Sequence, residues 1–336
     1  MADLTEVDYI WKNGEMVPWK DATTHVLTHS LHYGSGVFEG IRCYQAPESK
    51  KSYVFRLREH MERLQRSCKI TLIDLPYSVD ELCDATLELI KKNKLPACYI
   101  RPLVYHGYGQ MGVDPTGSPI DVVIAAWPWG AYLGADAMEK GINVGISSWR
   151  QRSINALPPT VKSTASYLNS ILAKLEATSH GYDEAVLLNE AGMVCEGTGE
   201  NIFVVRDGIL STPPLSDGVL EGITRDSILS LACDLDIPTV EESLTRTDLY
   251  IADEVFLTGS AAEVTPVASV DERQVGGPGP ITRALQERFF KVVYGQVEDY
   301  LDWLTEVKLP GAEAKPTPAK PAGTKPGEAS GSHRKP

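Results

Sequence analysis

The stretch NALPPTVKSTASYLNS, residues 155–170, carries Lys162, and 34 positions beyond that lysine stands Glu196, in CEGTGEN, residues 195–201. A lysine amine ordinarily titrates near ~10.4. At neutral pH it is therefore a poor nucleophile and a poor base unless burial or an imine changes its state. Lys162 is one of 17 lysines in the chain, and most lysines are solvated surface residues. Its surroundings must single it out.

A cofactor aldehyde that condenses with lysine makes the required change. If its ring nitrogen is to stay protonated and draw electrons, it also needs an anionic partner. Pyridoxal 5'-phosphate has both demands, with Lys162 as the candidate Schiff-base lysine and Glu196 as the candidate ring partner. A phosphate then has to be held by backbone N–H groups at a helix start, where unpaired donors and the helix dipole both favour an anion. VLEGITRDSILSLACDL, residues 219–235, offers such a start: Gly222 permits close approach, Ile223 supplies an amide and Thr224 a hydroxyl. LTGSAAEVTP, residues 257–266, offers a second turn of small residues at Gly259, Ser260 and Ala261.

The rest of the composition fits a soluble two-domain enzyme. The 336 residues are 43% hydrophobic, and about 150 residues per domain gives about two domains. No apolar run approaches the ~20 residues of a membrane span, and the N-terminal residues lack a secretory pattern, so a cytoplasmic location is expected and no membrane partner. Cys43, Cys68, Cys83, Cys98, Cys195 and Cys233 form no CxxC pair, which argues for reduced packing thiols. Net charge is −13; residues 308–336 hold six basic and two acidic residues, a net +4, so residues 1–307 carry −17. That balance repels phosphate backbones, and no nucleic-acid partner is expected.

Strand-like and helix-like patterns interleave, giving a mixed α/β (α+β) expectation. Residues 1–130 form a smaller N-terminal α/β domain: a hairpin around Asn13-Gly14, helices in FRLREHMERLQRSCKI and SVDELCDATLELIKKNK with Ser78 or Asp80 as cap of the second, and strands in ACYIRPLVYHG and DVVIAAWPW. Residues 131–141 read as a connector and 142–307 as a larger, cofactor-binding domain. Within it, strands are expected at GINVGISSW, EAVLLNE, NIFVVRDG and DEVFLTG, with helices at 166–180, 224–235 and about 281–304. Residues 308–336, rich in Pro, Ala and Lys, cannot bury enough surface to offset ordering entropy, and disorder is expected there.

Two motifs carry less than they first suggest. GYGQMG, residues 107–112, has dinucleotide-fingerprint spacing, but the VDPTGSP that follows cannot open the helix that should hold a pyrophosphate. His25, His29 and His32 have metal-ligand spacing for one helical face, but the Gly-rich context favours strand and turn. No metal is expected, and the histidines are read as structural hydrogen-bonding groups.

The ordered blocks YIWKNGEMVPW, SLHYGSGVFEGIRCY, FRLREHMERL, YIRPL, PWGAYLGA, the Lys162 segment, EGTGENIF, GITRDSI and IADEVFLTGSAAE together resemble the bacterial-type branched-chain amino-acid aminotransferases. These belong to the class IV, fold type IV pyridoxal-phosphate enzymes. The likeness runs from about Tyr9 to Leu304. It implies reversible transamination of L-leucine, L-isoleucine and L-valine with 2-oxoglutarate, giving the 2-oxo acids and L-glutamate. It also implies that Arg63 joins Ile223, Thr224 and Ser260 at the phosphate, and that Tyr167 meets the ring hydroxyl. Phe38, Gly40, Tyr33, Trp129, Tyr132 and Val113 would form the apolar pocket, some of them across a dimer interface. Tyr99 with the Ser260–Ala261 amides would hold the α-carboxylate, and Arg101 the γ-carboxylate of glutamate. The assembly implied is a homodimer or a trimer of dimers. To act as a base near neutrality, Lys162 would need its pKa lowered by about 3 units through burial and a neighbouring cationic ring. The sequence departs from many relatives in the Ser-Thr-Ala-Ser run after Lys162 and in having serine at 260. The alternatives are a D-amino-acid aminotransferase, an aminodeoxychorismate lyase or an amine transaminase of the same fold, a metabolite-binding protein, or a metal hydrolase built on the histidines.

Overall fold

The computed structural model describes residues 4–130 and 136–310. Two sheets organise the chain. In the first, strands Leu304–Val307, Ser52–Phe55, Ile41–Gln45, Cys98–His106, Ile120–Trp127, Tyr9–Lys12 and Glu15–Pro18 lie side by side in that order. The short strand Gly36–Phe38 also pairs with Cys98–His106. Asn13 (φ 49°) and Gly14 (φ 94°) turn the first hairpin, the positive-φ geometry that an Asn-Gly turn favours.

Helices Leu57–Ile70 and Val79–Lys92 cover one face of this sheet. Apolar residues recurring at three- and four-residue spacing supply the stripe: Met61 and Leu64 from one helix and Leu82, Leu89 and Ile90 from the other pack with Ile41, Ile100 and Ile124. Ser78 is the cap of the second helix. Its hydroxyl accepts from Glu81 N and the Glu81 carboxylate accepts from Ser78 N, a reciprocal capping box.

In the second sheet, strands Val194–Gly197, Glu184–Leu188, Ile142–Arg150, Glu263–Val270, Glu254–Gly259 and Asn201–Arg206 follow one another. Val194–Gly197 pairs again with Asn201–Arg206, so the six strands close into a ring. The closing residue pair is Glu196 opposite Asn201. Ile142–Arg150 runs parallel to both neighbours. Helices Ile223–Asp234 and Pro280–Val293 cover an outer face through Ile228, Leu231, Leu285 and Phe289, packed with Phe203 and Phe256.

Two expectations need correction. The closing helix ends at Val293 rather than near Leu304. A short 3-10 segment, Glu298–Trp303, and the strand Leu304–Val307 follow, and this strand pairs with Ser52–Phe55 of the first sheet. Gly295 at φ 70° breaks the helix, a backbone state that glycine reaches without steric cost. The His29–Tyr33 segment is a short helix, not strand and turn. The part of the connector at 131–135, and the tail from 311 onward, lie outside the described residues.

The two sheets meet at Lys162. Phe38 N donates to Lys162 O at 3.0 Å and Thr164 N to Gly36 O at 2.9 Å, so the lysine segment is stitched to the strand Gly36–Phe38.

Candidate active site

Lys162 follows the Pro158-Pro159 turn and precedes the helix Tyr167–Ser179. Its Nζ donates to the Tyr167 hydroxyl at 2.9 Å and lies 5.3 Å from the centre of the Phe38 ring. Burial pushes the amine down, but Tyr167, with help from Glu39, outweighs it and raises Lys162 above its ordinary range. The lowering expected from burial is therefore not produced by the protein alone.

Glu196 faces the same cavity from the ring closure. Its carboxylate accepts from Gln151 Nε2 at 2.7 Å, Leu220 N at 2.9 Å and Asn201 Nδ2 at 3.3 Å. Burial pushes its pKa up, opposed by the Leu220 N–H, Arg152 and Lys162. Three donors and two nearby cations hold this carboxylate in place, with an orientation fixed before any ligand arrives.

The cavity wall on the other side contains Arg63, Ile223, Thr224, Ser260 and Ala261. Helix Ile223–Asp234 has no side-chain cap at its start, so its first N–H groups are available to an anion. A Cβ at Gly222 would stand 1.9 Å from Asn201 Oδ1 and would displace the amide that bonds Glu196 and Leu220 O. Arg63 is buried, and its guanidinium is oriented by Glu39 and by Glu221 O.

Phe38, Gly40, Tyr99, Arg101 and Trp129 complete the wall. Tyr99 packs edge-on against Trp129 at 4.3 Å, and the Arg101 guanidinium sits 4.7 Å from the centre of the Phe38 ring while donating to Tyr99 OH at 3.3 Å. A Cβ at Gly40 would fall 2.0 Å from Tyr99 OH, so any larger residue there would displace the Tyr99 ring. Twelve of the expected residues therefore line one cavity, and Glu196 lines its continuation past Lys162 and Tyr167.

Tyr33 and Val113 stand apart, absent from the cavity wall, 44% and 89% exposed. Tyr132 lies outside the described residues. Of the three histidines, His29 bonds Ser35 Oγ and Gly112 O, both at 2.7 Å, and His32 Nε2 meets Val26 O at 2.8 Å. GYGQMG is loop.

The cavity fits a phosphorylated, ring-nitrogen cofactor. Thr258 Oγ1, Arg101 Nε and Arg152 Nε are buried on its walls without a partner among the described residues. They accompany an uncapped helix start at one end and a buried carboxylate at the other. Sequence reasoning missed Glu39, Gln151, Arg152, Asn201, Glu200 and Thr258. Glu39, Glu200, Asn201 and Thr258 lie inside or beside quoted blocks, but only their long-range partners reveal what they do.

Residues 36–270 match the family described as Amino-transferase class IV. The chain belongs to that family. It is 50% identical over 305 residues to the branched-chain-amino-acid aminotransferase of Escherichia coli (strain K12), covering 90% of this chain and 98% of that one. The crystal structure of an Escherichia coli branched-chain amino acid aminotransferase superposes with a TM-score of 0.88 at 50% identity, covering 90% and 100% of the two chains. The crystal structure of the branched-chain amino acid aminotransferase from Thermobaculum terrenum, in its PLP-form, gives 0.85 at 38% identity, covering 90% and 99%.

Proposed function

We propose that the chain is a branched-chain-amino-acid aminotransferase, exchanging the amino group of L-leucine, L-isoleucine or L-valine with 2-oxoglutarate. The observation that carries this is the convergence of Lys162, Tyr167, Glu196, Arg63 and the Ile223 helix start on one cavity, in a chain 50% identical over 305 residues to a relative of that name. Pyridoxal 5'-phosphate, when bound, supplies an electron sink for the substrate's α-carbon and carries the amino group between substrates.

The cavity residues then divide the work. Arg63, the Ile223 and Thr224 amides, the Thr224 hydroxyl and Ser260 hold the phosphate, a dianion suited to a guanidinium fork and helix-start donors. Glu196 keeps the ring nitrogen protonated, and Tyr167 donates or accepts at the ring hydroxyl. Lys162 would anchor the cofactor, and its Nζ, when free, would move the substrate's α-proton. The free chain leaves Lys162 above its ordinary range, so the lowering needed for this work accompanies cofactor binding. Tyr99 and the Ser260–Ala261 amides hold the α-carboxylate. Phe38, Gly40 and Trp129 offer an apolar wall to the side chain, and Arg101 meets the second carboxylate of glutamate.

The assembly is a homodimer at least. Leu168, Ile171 and Leu175 fall at i, i+3 and i+7 on the helix that begins at Tyr167, and are 64%, 51% and 62% exposed. With Val26, Leu31, Tyr33 and Val113 also exposed, a second copy is the occupant that explains so many uncovered apolar residues. Tyr33 and Val113 would reach the neighbouring copy's cavity from that surface. No described helix is long and apolar enough to cross a membrane, and the cytoplasm is the proposed location.

The test is the visible absorption of the purified holoenzyme. Bleaching by L-leucine and recovery with 2-oxoglutarate are expected, with Lys162→Ala lacking the band and turning over at least about 10³-fold more slowly. Bleaching by D-alanine alone would keep the cofactor but move the chain to a D-specific activity.

A further inference from the structure

We infer that Glu39 is the positioning residue that presets Arg63 for the cofactor phosphate, a role resting on the proposal that Arg63 is a phosphate ligand. Glu39 lies between Phe38 and Gly40, two residues of the cavity wall, but its own side chain turns inward and is fully buried. Its carboxylate accepts from Arg63 Nε at 2.7 Å and from Arg63 Nη2 at 2.8 Å, a two-pronged contact. The same Oε2 accepts from His60 Nδ1 at 2.8 Å, and His60 is itself buried.

A guanidinium has five N–H donors in a rigid fork. Glu39 takes one from Nε and one from Nη2, and Glu221 O takes one from Nη1 at 2.7 Å. Two remain, one on each terminal nitrogen. Because three donors are fixed in the plane, the direction of the last two is fixed as well. An arginine on a free stem would have to give up rotamer freedom on binding. Here that ordering is complete before the phosphate arrives.

Charge points the same way. An unpaired guanidinium buried at this depth would be strongly disfavoured; Glu39 neutralises it. Although burial pushes the Glu39 carboxyl up, Arg63 and His60 together hold it far below the usual carboxylate range, so it stays ionised. Burial holds His60 below its ordinary range, and the carboxylate beside Nδ1 places the imidazole proton there. The relation spans distant sequence: residue 39 just past the strand Gly36–Phe38, 60 and 63 one turn apart on a helix, and 221 before the phosphate-facing helix.

The test compares dissociation constants of the cofactor-free full chain for pyridoxal 5'-phosphate and for pyridoxal, which lacks the phosphate. Glu39→Gln keeps the shape but sets an amide N–H against the fork. It is expected to reduce the preference for the phosphorylated form by about tenfold or more, leaving pyridoxal affinity unchanged. Arg63→Gln should do the same. An unaltered preference in Glu39→Gln, or equal weakening of both ligands, overturns the inference while leaving Arg63 in place. An unaltered preference in Arg63→Gln overturns the phosphate assignment itself. Should Glu39→Gln fail to fold, Glu39→Asp, with its carboxylate withdrawn by one methylene, is expected to give a smaller loss of preference. No loss there overturns the inference.

Discussion

The Lys162 ammonium donates a 2.9 Å hydrogen bond to the hydroxyl of Tyr167, the first residue of the following helix. Four residues lie between the two in sequence, and the backbone between them is pinned by Thr164 to Gly34 and Gly36. The lysine therefore meets a fixed partner instead of sampling the cavity.

Tyr167→Phe removes the chief cause that lifts Lys162. Reconstitution by pyridoxal 5'-phosphate requires the neutral amine. In the wild-type chain its rate should still be rising above the ordinary lysine range, and in the variant the rise should move to lower pH. Lost contact at the ring hydroxyl should also cut kcat by about tenfold. Stopped-flow reconstitution against pH, with steady-state rates, checks both.

Arg101 carries a buried Nε without a partner among the described residues, and lies against Phe38 and Tyr99. Arg101→Leu should raise KM for 2-oxoglutarate about tenfold or more, because a second carboxylate loses a charged donor. KM for L-leucine should stay nearly constant. Equal changes in both constants would contradict the assignment of Arg101 to that carboxylate.

Glu200 is buried in the cavity wall and, through burial and the neighbouring Glu184, its carboxyl is pushed up to about 8 from an ordinary 4.5. Lys174 is the cation that pairs with Glu184, at 2.6 Å. Between those two pH values the folded chain binds more protons than the unfolded chain, so stability falls as pH rises through the window. Glu200→Gln should flatten that slope. Urea unfolding of the cofactor-free protein at pH ~5 and ~8 is the measurement; a slope equal to wild type would exclude the effect.

Leu175 is 62% exposed on the apolar stripe of the helix Tyr167–Ser179. Leu175→Glu should cost the isolated subunit within about 0.5 kcal/mol yet shift the assembly to monomer in sedimentation. Activity should fall with it, because the proposed arrangement has Tyr33 and Val113 completing the neighbouring cavity. A fully active monomer would refute the shared-site arrangement.

Much of this is legible in the sequence wherever the physics is local. The Asn13-Gly14 turn, the Ser78–Glu81 box and the apolar spacing of the helices at 57–70 and 79–92 act within a few residues. The quoted blocks mark Lys162 and Glu196 for the same reason, being short and chemically distinctive. The end of the last helix is not legible, because amphipathic spacing continues past Val293. Gly295 and the open edge at Ser52–Phe55 decide where the chain goes next.

Sequence alone determined most of the element types and marked the lysine and its carboxylate partner as candidates, since propensity, capping and chemical type are properties of neighbouring residues. Tertiary structure alone decided that Glu196 closes a ring of strands against Asn201, that Glu39 and His60 stand behind Arg63, and that Leu304–Val307 returns to the first sheet. Such pairings join residues as distant in the chain as Ser52 and Val307. They are fixed by which surfaces can be buried together with their backbone polar groups paired, a condition that no local stretch of sequence contains.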